Sequence, residues 1–274
     1  MSWETEAMPF TKPTNALFTV MAAALTAAAA SAPAEAATLA ALQDGKSIVW
    51  IDTDQKKVTG SVKLDGGASL IGFDVRPVDG KLYGVTPDGT IVTVDAKTGK
   101  WEKKSQVSEA LPKGAIFTVD FNPAADRLRI LSSTGISLRI NVEDGKTTVD
   151  GSLKYAEADA KKGKQPKVTA GAYSNSYAGT KETVLYDIDA ANGTFVRQAP
   201  PNDGTLNTIG KPDAKINGDV AFDIWSDGKG GNTGWLLVGD ALYTVDIASG
   251  TTKSAGKIAG LKGKIGDIAV LPAM

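Results

Sequence analysis

The feature that most constrains this chain is a turn that recurs. Tight-turn dipeptides stand at Asp44-Gly45, Asp88-Gly89, Thr134-Gly135, Asn192-Gly193 and Gly239-Asp240. Each lies between two short runs rich in apolar or β-branched residues, which is the signature of a β-hairpin. About ten residues further on comes a second set: Thr98-Gly99, Asp144-Gly145, Asp203-Gly204 and Ser249-Gly250, with Gln55-Lys56 as a degenerate member. The runs before the first turn are LAAL (39–42), KLYGV (81–85), RLRIL (127–131), VLYDI (184–188) and WLLV (235–238). Those after it are SIVWID, TIVTVD, ISLRIN, TFVRQA and ALYTVD. Many of these positions alternate apolar with polar residues, the period of a strand with one buried face.

A further strand precedes four of the hairpins, at residues 70–77, 116–123, 168–175 and 219–226. The first unit, residues 38–64, lacks one, but KIGDIAVLP (264–272) stands at the other end of the chain. Four complete four-stranded units and one split unit predict an all-β, five-bladed β-propeller. Completing one blade from both termini leaves no free sheet edge. The unit length, about 45–50 residues, suits four-stranded blades, and six blades would need more chain. A β-sandwich or jelly roll is the alternative that the same turns allow.

The N-terminus reads as an address. Ala16 to Ala30 is an apolar run of fifteen residues, short for a membrane span of roughly 20 but right for the hydrophobic region of a signal peptide. Ala34-Glu35-Ala36 has the form that signal peptidase reads, so residues 1–36 are expected to be a signal peptide and 37–274 a single propeller domain. Glu4 and Glu6 fit badly with a positive leader; a start at Met8 would leave Lys12 as the only basic residue before the apolar run. Cleavage leaves 29 basic and 28 acidic residues, so no basic field points to nucleic acid. No stable membrane insertion is expected after cleavage. The Lys-rich stretch 157–167 reads as an exposed loop or a linker.

The chain has no Cys and no His. Disulfides, thiolate attack, imidazole catalysis and Cys/His metal sites are all excluded. A secreted chain without Cys suits a bacterial periplasm, and about 238 residues can bury a sufficient core unaided.

Aligning the innermost strands places Asp74, Asp120 and Asp223 at one position, with Ala172 in the fourth blade. Asp267 joins them in one register of the last strand; in another it matches Asp219. Such carboxylates need either a hard cation, with Ca²⁺ as the candidate, or hydrogen bonds from backbone amides or Arg. An EF-hand-like run, Asp187 to Gly193, lacks the closing Glu, since Gln198 stands there. Arg is scarce, yet Arg127, Arg129 and Arg139 fall on consecutive strands of the third unit and Arg76 follows Asp74. Planar pairing with carboxylates is one reading, with Asp120 and Asp126 as partners; recognition of an anionic ligand is the other. Trp225 is a candidate ligand contact, whereas Trp50 and Trp235 sit in strands and read as core.

The stretch DFNPAADRLRIL (120–131), with LRIN (138–141), TVDG (148–151) and PPNDGTL (200–206), resembles the bacterial secreted family named domain of unknown function 4394. The resemblance covers about residues 38–272 and implies no activity. The leading expectation is therefore a secreted or periplasmic, non-catalytic propeller that binds a partner protein or small ligand. One alternative is a carboxylate-dependent hydrolase or lyase working at the central channel. The other is a calcium-stabilised scaffold.

Overall fold

A computed structural model of the chain describes Met1, residues 37–216 and residues 220–271. Met1 aside, the expected signal peptide, the alternative start at Met8 and Asp219 lie outside the described residues. Among the described residues, no helix is long and apolar enough to cross a membrane.

The chain opens with a meander of β1 (Thr38–Gln43), β2 (Ser47–Asp52) and β3 (Lys57–Lys63). Blade 2 follows as β4 (Gly72–Val75), β5 (Leu82–Val85), β6 (Thr90–Val94) and β7 (Trp101–Gln106). Blade 3 consists of β8 (Phe117–Asn122), β9 (Arg127–Ser132), β10 (Ser137–Ile140) and β11 (Thr147–Val149). Blade 4 holds β12 (Lys154–Tyr155), β13 (Val168–Tyr173), β14 (Leu185–Asp189), β15 (Thr194–Gln198) and β16 (Thr205–Gly210). Blade 5 is β17 (Val220–Ser226), β18 (Asn232–Val238), β19 (Ala241–Val245) and β20 (Thr252–Lys257). The last strand, β21 (Ile265–Leu271), pairs antiparallel with β1 and completes blade 1 in the order β21-β1-β2-β3. The split blade is therefore as the repeats predict. Strands β4, β8, β13, β17 and β21 each neighbour the next around a closed ring, which makes the fold a five-bladed β-propeller.

The turn residues explain the hairpins. Asp44 and Gly45 both have positive φ (53° and 68°), the pair of left-handed residues that a two-residue hairpin turn requires. Gly99 and Gly145, in the second set, serve packing as well. A Cβ on Gly99 would lie 2.0 Å from the Lys63 carbonyl oxygen, and one on Gly145 1.9 Å from that of Gln106. The outer turn of one blade thus presses on the outer strand of the blade before it.

The core is a set of apolar layers, one in each joint between blades. Leu39 and Ala41 of β1 pack against Ala221 and Leu237 of blade 5; Ala40 and Leu42, on the opposite face, pack against Phe73 and Leu82 of blade 2. Inner strands are therefore buried on both faces, as in the six buried residues of β13. Strands β5 and β9, among the runs before the first turn, are buried on both faces too, which corrects the one-buried-face expectation for them, because every blade has two neighbours. The outermost strands keep exposed positions, as β3 and β7 do. The second departure is β12, which adds to β16 in parallel and makes blade 4 five-stranded. Much of the Lys-rich stretch after it is exposed loop.

Candidate functional site

Asp74 and Asp120 lie at equivalent places on β4 and β8, and Asp223 takes that place on β17. All are buried, at 4%, 4% and 6% exposure. Each reaches across the joint to a backbone amide of the next blade. Phe121 N–H donates to Asp74 Oδ2 (2.7 Å), Tyr173 N–H to Asp120 Oδ1 (3.0 Å) and Val270 N–H to Asp223 Oδ2 (2.6 Å). Phe121 and Tyr173 each follow the aligned position in their own strand, so Val270 assigns that position in β21 to Ala269. Asp267 sits two residues earlier, on the same strand face, and accepts from Phe73 N–H (3.1 Å). Neither register expected for Asp267 is therefore the observed one. The shift between Ala41 and Gln43 in the β1–β21 pairing is the kind of local irregularity that sequence alignment does not see. Gly72 makes the room: a Cβ there would stand 2.7 Å from Asp267 Oδ2.

One carboxylate oxygen from each of Asp74, Asp120 and Asp223 lies within 4.8 Å of the others. Burial pushes the carboxyls of Asp74, Asp120 and Asp267 well above the usual range, and neighbouring carboxylates push them further. Burial raises Asp223 to about 6, with the amides of Val270 and Ile224 pulling the other way. Desolvation is the dominant cause in all four.

The arginines form two clusters across blade joints. Arg76 clasps Asp126 of blade 3 through Nε–Oδ1 (2.8 Å) and Nη2–Oδ2 (2.6 Å), and donates to Glu143 Oε1 (2.7 Å). Arg129, 1% exposed, donates to Asp150 Oδ2 (2.6 Å), Ser137 Oγ (2.8 Å), Tyr173 OH (3.1 Å) and Asn202 Oδ1 (2.9 Å). Arg139 clasps the same Asp150 through Nε (2.7 Å) and Nη2 (2.9 Å). Arg127 stands apart, half-buried, and donates to the Asp126 carbonyl oxygen (2.8 Å). Of the two expected partners, Asp126 does take an arginine and Asp120 needs correction. Asp126 pairs with Arg76, Asp120 takes no Arg among the described residues, and Asp150 is the carboxylate that Arg129 and Arg139 share. Sequence reasoning missed Asp150, Asn202 and Glu143, because Asn202 belongs to a different blade and the other two lie in turns after β10 and β11.

The EF-hand-like run is a turn. Asp189 accepts amides of Lys167, Ala191 and Asn192, and the Asn192 side chain donates to it. Asp187 points inward and is fully buried with neither oxygen hydrogen-bonded among the described residues. Desolvation raises its carboxyl to about 8, and the Arg129 charge opposes that rise. A Cβ on its cross-strand partner Gly171 would lie 2.2 Å from Asp187 Oδ1, so only glycine leaves the carboxylate room.

Trp225 is half-buried against the apolar layer between blades 5 and 1. Trp235 is buried and core. Trp50, also expected in the core, is half-buried, and its ring lies against Gly60, where a Cβ would come within 2.6 Å. It lines a cleft of about 860 Å³ between blades 1 and 2 with Leu82, Val94 and Leu271, and with exposed Lys97 and Glu102 at its sides. None of the four inner-strand aspartates lines this cleft. Nothing in the sequence signalled it, since its walls come from two blades.

A family model described as "Domain of unknown function (DUF4394)" matches residues 47–269. No curated protein matches. A solved protein of unknown function from Bacteroides thetaiotaomicron is 13% identical over 87% of this chain and 67% of its own, with a TM-score of 0.50, a likeness of fold alone. One of unknown function from Bacteroides caccae is 14% identical over 84% of this chain and 77% of its own, with a TM-score of 0.45. The extracellular domain of a putative one-component system from B. thetaiotaomicron is 16% identical over 83% of this chain and 29% of its own, with a TM-score of 0.41.

Proposed function

We propose, for a chain that belongs to the family described as "Domain of unknown function (DUF4394)", a non-catalytic role: a propeller that binds a partner protein or small ligand in the cleft between blades 1 and 2. The observation that carries this reading is the cleft itself. It combines about 860 Å³ of space, apolar walls and a half-buried indole with charged groups of both signs. Pockets of this size with a few polar groups at the edge suit small ligands, and tryptophan is the side chain most enriched at binding hot spots. The apolar run Ala16–Ala30 and the Ala34-Glu35-Ala36 site support a secreted or periplasmic address.

The competing hydrolase reading needs two carboxyls facing a substrate across an open space. The inner-strand aspartates are instead buried and accept backbone amides from the next blade. Their surroundings favour a structural role.

The test is a titration of the mature chain with a panel of oligosaccharides and of acidic and basic peptides, followed by calorimetry. A binder is expected to lose at least about ten-fold in affinity in Trp50→Ala, the effect of removing an interface anchor. Unchanged binding in that variant, or turnover of a panel member that is lost in Asp120→Asn, contradicts the reading.

A further inference from the structure

We infer that the propeller axis holds a hard divalent cation, Ca²⁺ in the first instance, coordinated by Asp74, Asp120 and Asp223. This is a second site, separate from the cleft, and it stands or falls independently of the binding role proposed there.

The geometry comes first. One oxygen from each of the three carboxylates lies within 4.8 Å of the other two. Oxygens bound to a single Ca²⁺ at roughly 2.3–2.6 Å can stand up to about 4.6–5.2 Å apart, so the three fit one coordination sphere. Their bonds across the joints leave capacity for it. Asp74 and Asp223 each accept two amide hydrogens, Asp74 from Val75 and Phe121 and Asp223 from Ile224 and Val270. A carboxylate offers about four lone-pair sites. Asp120 accepts only at Oδ1, from Tyr173; its Oδ2 has no hydrogen-bond partner among the described residues.

A second observation is independent of the acids. Thr118 is 3% exposed, and its hydroxyl oxygen is buried without a partner. It stands two residues before Asp120 on β8, so strand alternation turns it to the same face. An orphaned hydroxyl on the same strand face as a carboxylate with one open oxygen offers a neutral oxygen donor to a hard cation. The charge balance agrees. The five strands around the axis carry Asp74, Asp120, Asp223 and Asp267 and no Lys or Arg. Arg76, just beyond β4, points its guanidinium to Asp126 and Glu143 instead. Buried carboxylates without a cationic side chain are what a metal ion would neutralise. Asp267 accepts from Phe73 and Ile268 and adds its charge nearby.

The mature chain is stripped with chelator and titrated calorimetrically with Ca²⁺, with Asp120→Asn in parallel and, as a control, Asp95→Asn, an exposed carboxylate that lines the cleft between blades 1 and 2. One Ca²⁺ per chain is expected, with a rise of several degrees in the melting midpoint at saturation. Asp120→Asn keeps an oxygen for the Tyr173 amide and is expected to weaken binding by more than about ten-fold, while Asp95→Asn leaves it unchanged. Crystals soaked in Mn²⁺ supply a readout that needs no variant: an anomalous peak between Asp74, Asp120 and Asp223. Absence of Ca²⁺ binding by the wild type, undiminished binding by folded Asp120→Asn, or an anomalous peak only elsewhere overturns the inference.

Discussion

The joint between blades 2 and 3 and the joint between blades 4 and 5 solve one problem by different means. In the first, Asp74 crosses the joint to the Phe121 amide (2.7 Å) and Arg76 clasps Asp126 further out. In the second, the equivalent inner-strand residue is Ala172, fully buried and with no carboxylate to extend. Aromatic packing stands there instead: Phe195 meets the Phe222 ring edge-on at 5.7 Å, and Tyr186 stacks on Phe195 at 5.4 Å. Polar ties across that joint are amides and a hydroxyl, Asn175 with Asn232 and the Ser176 N–H to Ser226 Oγ, so the carboxylate strap is not what every joint requires. The strap fixes position; the buried apolar layer supplies most of the stability.

Three substitutions rank these contributions. Phe222→Ala removes the ring at the apolar joint and is expected to cost the most, about 3–5 kcal/mol, measured by urea denaturation. Asp74→Ala is expected to cost less, about 1–3 kcal/mol, for leaving the buried Phe121 and Val75 amides without an acceptor. Its loss is limited because the variant also removes a desolvated carboxyl. A larger loss for Asp74→Ala than for Phe222→Ala would make the polar straps the main support of the ring. The third substitution concerns the joint between blades 3 and 4, where Asp187 is buried unpaired. Its folded carboxyl titrates at about 8, against about 3.9 in an unfolded chain. Between those values the folded chain holds a proton that the unfolded chain has released. Its contribution to stability is complete below about pH 4, declines as pH rises, and is lost by about pH 8. Asp187→Asn should flatten that decline, read as melting midpoints from pH 4 to 9 in chelator. An unchanged slope would mean that Asp187 is charged and partnered in the fold.

Much of this ring was legible in the sequence because propeller blades are local. Asn192-Gly193 or Asp88-Gly89 marks a hairpin whatever lies around it, and the Asp at one position of β4, β8 and β17 marks the inner strand. What crosses between blades was less legible. Arg129 finds Asn202 in the next blade, 73 residues away, and no spacing rule links them. Asp267 sits two residues from its aligned place because pairing with β1, not the repeat, sets its register. Trp50 reads as core because it sits in a strand, yet only the neighbouring blade decides that one side of it opens to a cleft.

Hydrogen exchange at the Phe121 amide, compared between the wild type and Asp74→Ala, tests most directly whether inner-strand carboxylates strap blade to blade. The strap predicts exchange at Phe121 faster by about ten-fold or more in the variant, the equivalent of one lost hydrogen bond. The Tyr173 and Val270 amides, held by Asp120 and Asp223, should keep their wild-type rates. An unchanged rate at Phe121 in the folded variant would contradict it.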